Sequence, residues 1–308
     1  MMSLAIEQLN KNFSFRNGGN TLFFRAGQGG IPFIEINNKQ AKATISLQGA
    51  HLLDWTPVGE DGVIWLSEDA TFAPGKAIRG GIPVCWPWFG THQNKASFPA
   101  HGIARTVSWQ VTATQQLSTG ETQINFRLEV NLLDEQCQRM WPLATVVEYR
   151  ITIAKTLRLE LTTINNSRQS ITIGQALHSY FNVDDITGTT VSGLEGKDYL
   201  DKTDNYKRKT QVGAIVIDAE VDRVYLNTSD DAIIENKKRK IIIKKRGSQS
   251  TVVWNPWKDV AEKMGDMDKA GYLGMLCVES ANVAEDVIRI KAGESHTLAV
   301  IYKVEKTG

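Results

Sequence analysis

The chain has 308 residues, with 35 Lys and Arg against 34 Asp and Glu and a formal net charge of +1. That balance gives no overall field to recruit nucleic acid or an anionic membrane, and nowhere do 18 apolar residues run together to cross a bilayer. Its three cysteines, Cys85, Cys137 and Cys277, are far apart and in no CxxC arrangement, which supports neither a disulfide framework nor a zinc site and reads as buried free thiols.

The first residues, Met1-Met2-Ser3-Leu4-Ala5-Ile6-Glu7, lack the basic and apolar regions of a secretion signal, so a cytoplasmic protein is expected. After a turn signal at Asn17-Gly18-Gly19-Asn20, apolar and polar residues alternate at period 2 in Phe33-Ile34-Glu35-Ile36 and Ala43-Thr44-Ile45-Ser46-Leu47, which predicts half-buried antiparallel strands. The alternation breaks at Arg79-Gly80-Gly81-Ile82-Pro83-Val84-Cys85-Trp86-Pro87-Trp88-Phe89-Gly90, followed by His101-Gly102-Ile103-Ala104-Arg105. Glycines and prolines at this density exclude a helix interior or a central strand. The segment reads as an ordered loop whose indoles and guanidiniums either line a ligand site or plug the core.

Strands resume at 124–130, 145–153 and 157–164, punctuated by Ser118-Thr119-Gly120-Glu121 and Asn165-Asn166-Ser167. In Gln175-Ala176-Leu177-His178-Ser179-Tyr180-Phe181-Asn182-Val183, period 2 places His178 and Tyr180 on one face and Leu177, Ser179 and Phe181 on the other. The basic residues around Ile241-Ile242-Ile243 read as cationic guards on the edge of a solvated hairpin rather than a nucleic-acid patch. Pro256 to Lys269, with Pro256 near N1 and Asp259 and Glu262 in the early turns, is the one predicted helix. Next, Met275-Leu276-Cys277-Val278-Glu279-Ser280 sets Leu276 and Val278 against Cys277 and Glu279, so that a carboxylate ends an apolar strand, and Ala292-Gly293-Glu294 marks the last turn. With no linker or internal repeat, residues 1–308 are expected to form a single all-β domain, a large antiparallel β-sandwich with few short helices.

Taken singly, Glu279 reads as an exposed strand terminus and His178 as a hydrogen-bonded core histidine, since a buried carboxylate is costly unless paired or used. Together with the Arg79–Gly90 loop and His101–Arg105, however, Leu177-His178-Ser179-Tyr180-Phe181 and Cys277-Val278-Glu279-Ser280 closely resemble the glucose-6-phosphate 1-epimerases of the aldose 1-epimerase superfamily. Asp222-Arg223-Val224-Tyr225 and Trp254-Asn255-Pro256-Trp257 fit the same pattern. The match is best over 79–105 and weakest over 185–250, where only Asp222 maps.

This resemblance implies a galactose-mutarotase-like sandwich with a sugar site in a cleft on one sheet. It implies no metal or cofactor, and a small-molecule hexose 6-phosphate as the partner. Glu279 would be the base on the C1 hydroxyl, His178 the acid at the ring oxygen, and His101 and Asp222 would bind hydroxyls; for Asp222 a turn aspartate is the plain alternative. Arg79 and Arg105 suit the oxygens of a phosphate better than neutral hydroxyls, while an ion pair with an acidic neighbour is the other reading of Arg79. Trp86, Trp88 and Trp254 either stack on sugar C–H faces or pack the core. A monomer is expected. A mutarotase of unphosphorylated hexoses and a non-catalytic carbohydrate-binding sandwich are the alternatives: the arginines argue against the first, the His178 and Glu279 pair against the second. No Walker, GxGxxG or HExxH motif supports a nucleotide cofactor or zinc.

Overall fold

Alternation becomes pairing in a computed structural model that describes residues 2–307. Thr145–Ile153 and Leu157–Asn165 pair antiparallel from Leu157 opposite Ile153 to Asn165 opposite Thr145, and Leu157, Leu159 and Leu161 are all fully buried. These two strands lie in a nine-stranded sheet that also holds Thr122–Glu129, Arg239–Arg246 and the C-terminal strand Ser295–Lys306. An eight-stranded sheet runs in the order Lys207–Thr210, Asp198–Asp201, Val221–Leu226, Ser250–Asn255, Met275–Asn282, Gln175–Leu177 and Val84–Cys85, with Tyr180–Asn182 also pairing to Met275–Asn282.

The two sheets face one another. Tyr302 of the first packs edge-on against Phe181 of the second with ring centroids 5.1 Å apart, and Trp86 Nε1 donates across the gap to Thr163 Oγ1 at 3.1 Å. One face of the eight-stranded sheet is therefore core, and the other is left to build a site. A five-stranded sheet, from Phe15–Asn17 to His51–Pro57, precedes both. Its first hairpin closes through Gly18 and Gly19, whose φ of 56° and 87° meet the demand of a two-residue turn for φ > 0 at both central positions.

The fold differs from the sequence reading in four places. Met2–Phe13 is a helix, because Ile6, Leu9 and Phe13 form a stripe at helical spacing that packs on the core. Conversely, the helix expected over 256–269 stops at Trp257–Ala261: beyond it Lys263 N donates to Val260 O at 3.1 Å and Met264 N to Ala261 O at 3.0 Å, i to i−3 bonds that tighten the last turn in place of helix continuation. A third short helix, Glu135–Met140, is capped by Asp134, which accepts from Cys137 N at 2.8 Å. The basic strand Arg239–Arg246 is interior to its sheet, hydrogen-bonded on both sides, and its Arg239 is buried and spent on three backbone carbonyls. All three cysteines are free and buried. Among the described residues no helix is long and apolar enough to cross a membrane.

Candidate active site

Strand register assembles the site. Leu177 pairs with Ser280 and Tyr180 with Cys277, which sets His178 directly across from Glu279. The next row follows from the same ladder: Asp222 faces Trp254, Trp254 faces Cys277 and Cys277 faces Tyr180. Directly opposed residues share a face and so do residues two apart, so Asp222, Trp254, Tyr180, Glu279 and His178 all project from the side away from the core. Leu276, Val278 and Phe181 point inward to it. Glu279 does not end its strand, as its sequence context suggested, but sits fifth of eight buried residues in Met275–Asn282.

Between the paired segments, His178 N donates to Pro83 O and Tyr180 N to Gly81 O, each at 3.0 Å, so the Arg-Gly-Gly loop is stitched alongside. The loop can pass there only because Gly81 has no side chain: a Cβ would stand 2.3 Å from His51 Nε2, at a φ of 70°. Gly102 is equally constrained, with a Cβ position 1.9 Å from Trp86 O. These two close approaches hold Arg79 and His101 over the sheet.

The result is a cavity of about 330 Å³. Arg79, His101, Arg105, His178, Asp222 and Glu279 all line it. Trp86 does not: it is fully buried on the core side, edge-on to Trp141 at 5.7 Å, and the cleft indole is Trp254. Tyr180, Lys202 and Asp266 also line the cleft without having been singled out as site residues. Tyr180 was legible as a same-face neighbour of His178. Lys202 and Asp266 sit in polar, turn-rich segments that look like ordinary surface.

Burial dominates the electrostatics. It pushes the Glu279 carboxyl well above the usual carboxylate range; neighbouring Asp222 adds to this, and Lys202 and Arg105 oppose it. It holds His178 well below the ordinary histidine value, assisted by His101, Arg105 and Arg79. His101 is lowered to about 3 by burial and by Arg105, Lys202 and Arg79, so its ring is neutral near pH 7. His101 accepts from Gly90 N at Nδ1, 3.4 Å away, which leaves its proton on Nε2. Within the pair itself, His178 Nδ1 lies 3.5 Å from Glu279 Oε1, and neither His178 Nδ1 nor Glu279 Oε2 has a hydrogen-bond partner among the described residues.

The cations are distributed unequally. Lys202, across the ladder from Asp222, donates to its Oδ2 at 2.5 Å. Arg79 donates to Asp266 and to Tyr180, whereas Arg105 donates to Ala100 O at 2.9 Å and meets no carboxylate among the described residues. An imidazole pair, three carboxyls, three basic side chains and an indole face thus converge on a space of monosaccharide size.

Known proteins resemble this chain in sequence and fold. The aldose 1-epimerase family profile matches residues 32–303. A provisionally named glucose-6-phosphate 1-epimerase of Escherichia coli (strain K12) is 36% identical over 279 residues, covering 90% of this chain and 91% of that protein. The crystal structure of a provisionally assigned mutarotase from Salmonella typhimurium superposes with a TM-score of 0.85 at 31% identity, covering 98% of this chain and 100% of that one. A galactose mutarotase-like protein from Clostridium acetobutylicum, at 14% identity and a TM-score of 0.70 over 93% of this chain and 98% of its own, shares the fold. The sandwich, the cleft on its outer sheet face and these matches together place the chain in the aldose 1-epimerase family.

Proposed function

We propose that the protein interconverts the α and β anomers of a hexose 6-phosphate, glucose 6-phosphate foremost, by acid–base opening and reclosure of the pyranose ring. The observation that carries this reading is the opposition of His178 and Glu279 on the floor of a cleft flanked by Arg79, Arg105 and Lys202. Glu279 takes the proton of the C1 hydroxyl while His178 delivers one to the ring oxygen. The bond between C1 and that oxygen breaks, and the open aldehyde turns about C1–C2. Reclosure runs the same transfers backwards on the other face. The sugar undergoes no net change of oxidation state and the proton transfers are handled by the two side chains, so the step calls for no redox cofactor. His101 Nε2–H and Asp222 hold hydroxyls, Trp254 offers an apolar face, and Arg79 and Arg105 take the phosphate. We read the enzyme as a cytoplasmic monomer, on the side of the membrane where charged sugar phosphates are confined.

The acid and base share one proton between them, and the ionic pair and the neutral pair are its two tautomers. A second proton on His178 stops catalysis at low pH, and loss of the proton from Glu279 stops it at high pH. Because burial lowers the first group and raises the second, the acid limb of kcat should lie well below 6.5 and its alkaline limb well above 4.5, with a plateau between them. kcat is the quantity to follow, since the second ionisation of the substrate phosphate, near pH 6, acts on binding. An acid limb at an ordinary histidine value would show that the acid is a solvated imidazole, not buried His178.

Polarimetry or anomer-resolved NMR on freshly dissolved α-glucose 6-phosphate, with α-glucose alongside, tests the reading directly. Arg79→Ala should raise KM for the phosphorylated sugar far more than it lowers kcat, costing roughly 10- to 150-fold in kcat/KM, the worth of a charge-assisted contact of about 1.5–3 kcal/mol. Inorganic phosphate should compete with substrate in the wild type and lose that ability in the variant. Equal efficiency on glucose and its 6-phosphate would replace this reading with a mutarotase of free hexoses.

A further inference from the structure

The structure assigns to Asp266 and Tyr180 the positioning of Arg79, and through it the selection of a C6 phosphate over a C6 hydroxyl; this rests on the hexose 6-phosphate reading. Arg79 Nε donates to Asp266 Oδ1 at 3.1 Å and Nη1 donates to Tyr180 Oη at 3.1 Å. A guanidinium carries five N–H groups. With two committed, three remain for the oxygens of a phosphate, one on Nη1 and two on Nη2.

The two partners come from different parts of the fold. Tyr180 opens the strand Tyr180–Asn182, and Asp266 lies between the helix Trp257–Ala261 and the strand Met275–Asn282 that carries Glu279. Gripped from both, the guanidinium plane cannot swing about its side chain. Tyr180 is itself rigid: its ring stacks on His178 with centroids 4.8 Å apart and planes 7° apart, and on Trp65 at 5.8 Å. One side chain therefore touches both the proposed phosphate grip and the proposed acid.

A purely stabilising role explains the pair poorly. Arg79 and Asp266 side chains are 24% and 28% exposed, and ion pairs open to solvent contribute little. A competing role has an electrostatic basis of its own, because a carboxylate beside a phosphate repels it. The two roles differ in sign: removing a competitor tightens the phosphorylated sugar, and removing a positioner loosens it.

The test is the ratio of kcat/KM for α-glucose 6-phosphate to that for α-glucose, measured in wild type, D266A, D266N and Y180F. D266A and Y180F should each lower the ratio about tenfold, through KM of the phosphorylated sugar, as expected when a charged group loses one hydrogen-bond partner. D266N keeps an oxygen acceptor for Nε and should recover part of the loss. Should D266A fail to fold by circular dichroism, D266N and Y180F carry the comparison, with a smaller fall in the first. An unchanged ratio in Y180F, or a ratio that rises on changing Asp266, overturns the clamp and leaves the hexose 6-phosphate reading standing. A wild-type ratio near one overturns that reading itself.

Discussion

Glu279→Gln should slow anomerisation of α-glucose 6-phosphate by about two to four orders of magnitude while KM changes little. The amide keeps the shape of the side chain in its buried site, where Glu279 is 1% exposed, and removes only the basicity. Neutral Gln also avoids the cost of burying a charge, so the variant should fold at least as well as the wild type. Its residual rate should lose the limb of the pH profile that Glu279 supplies. The measurement is the enzyme-dependent part of the polarimetric decay, after subtraction of spontaneous mutarotation. Full activity would place the base elsewhere in the cleft, where Asp222 is another carboxylate of the lining.

His178→Asn should cost a comparable factor, and the double variant His178→Asn with Glu279→Gln should lose little more than either single one. The reason is the shared step: once the base cannot accept the C1 proton, the acid has no developing negative charge on the ring oxygen to quench. The geometry supports that coupling, with Nδ1 and Oε1 3.5 Å apart across adjacent segments of one sheet. Losses that simply multiply would mean that the two groups act on separate steps. Asn is smaller than the imidazole and leaves Tyr180 without its stacking partner, so KM for the phosphorylated sugar is the control that separates a lost acid from a disturbed Arg79.

Part of the site was legible because covalent geometry alone dictates it. In an extended chain successive side chains point to opposite faces, so the sequence 177–181 sufficed to put His178 with Tyr180 and Phe181 against them, as Leu276 and Val278 were set against Cys277 and Glu279. The same periodicity located the strands, and for Thr145–Ile153 it found both ends. Glycine and proline likewise marked the 79–90 loop as ordered, since their backbone constraints are intrinsic. Resemblance of short motifs carried the rest of the functional reading.

Tertiary structure decided what depends on which distant segments meet. That Glu279 lies mid-strand and opposite His178 follows from a register between segments about a hundred residues apart, set by which apolar faces pack together. Arg79 and Asp266 are 187 residues apart, and neither segment carries a mark of the other. Lys202 looked like one more surface lysine until the ladder placed it beside Asp222. Trp86 and Trp254 are indistinguishable as residue types, and only the side of the sheet each faces makes one core and the other cleft. By itself the sequence determined the local backbone and the faces of its strands, because these arise within a few bonds; the site's composition was decided by long-range packing, whose free energy belongs to no single segment.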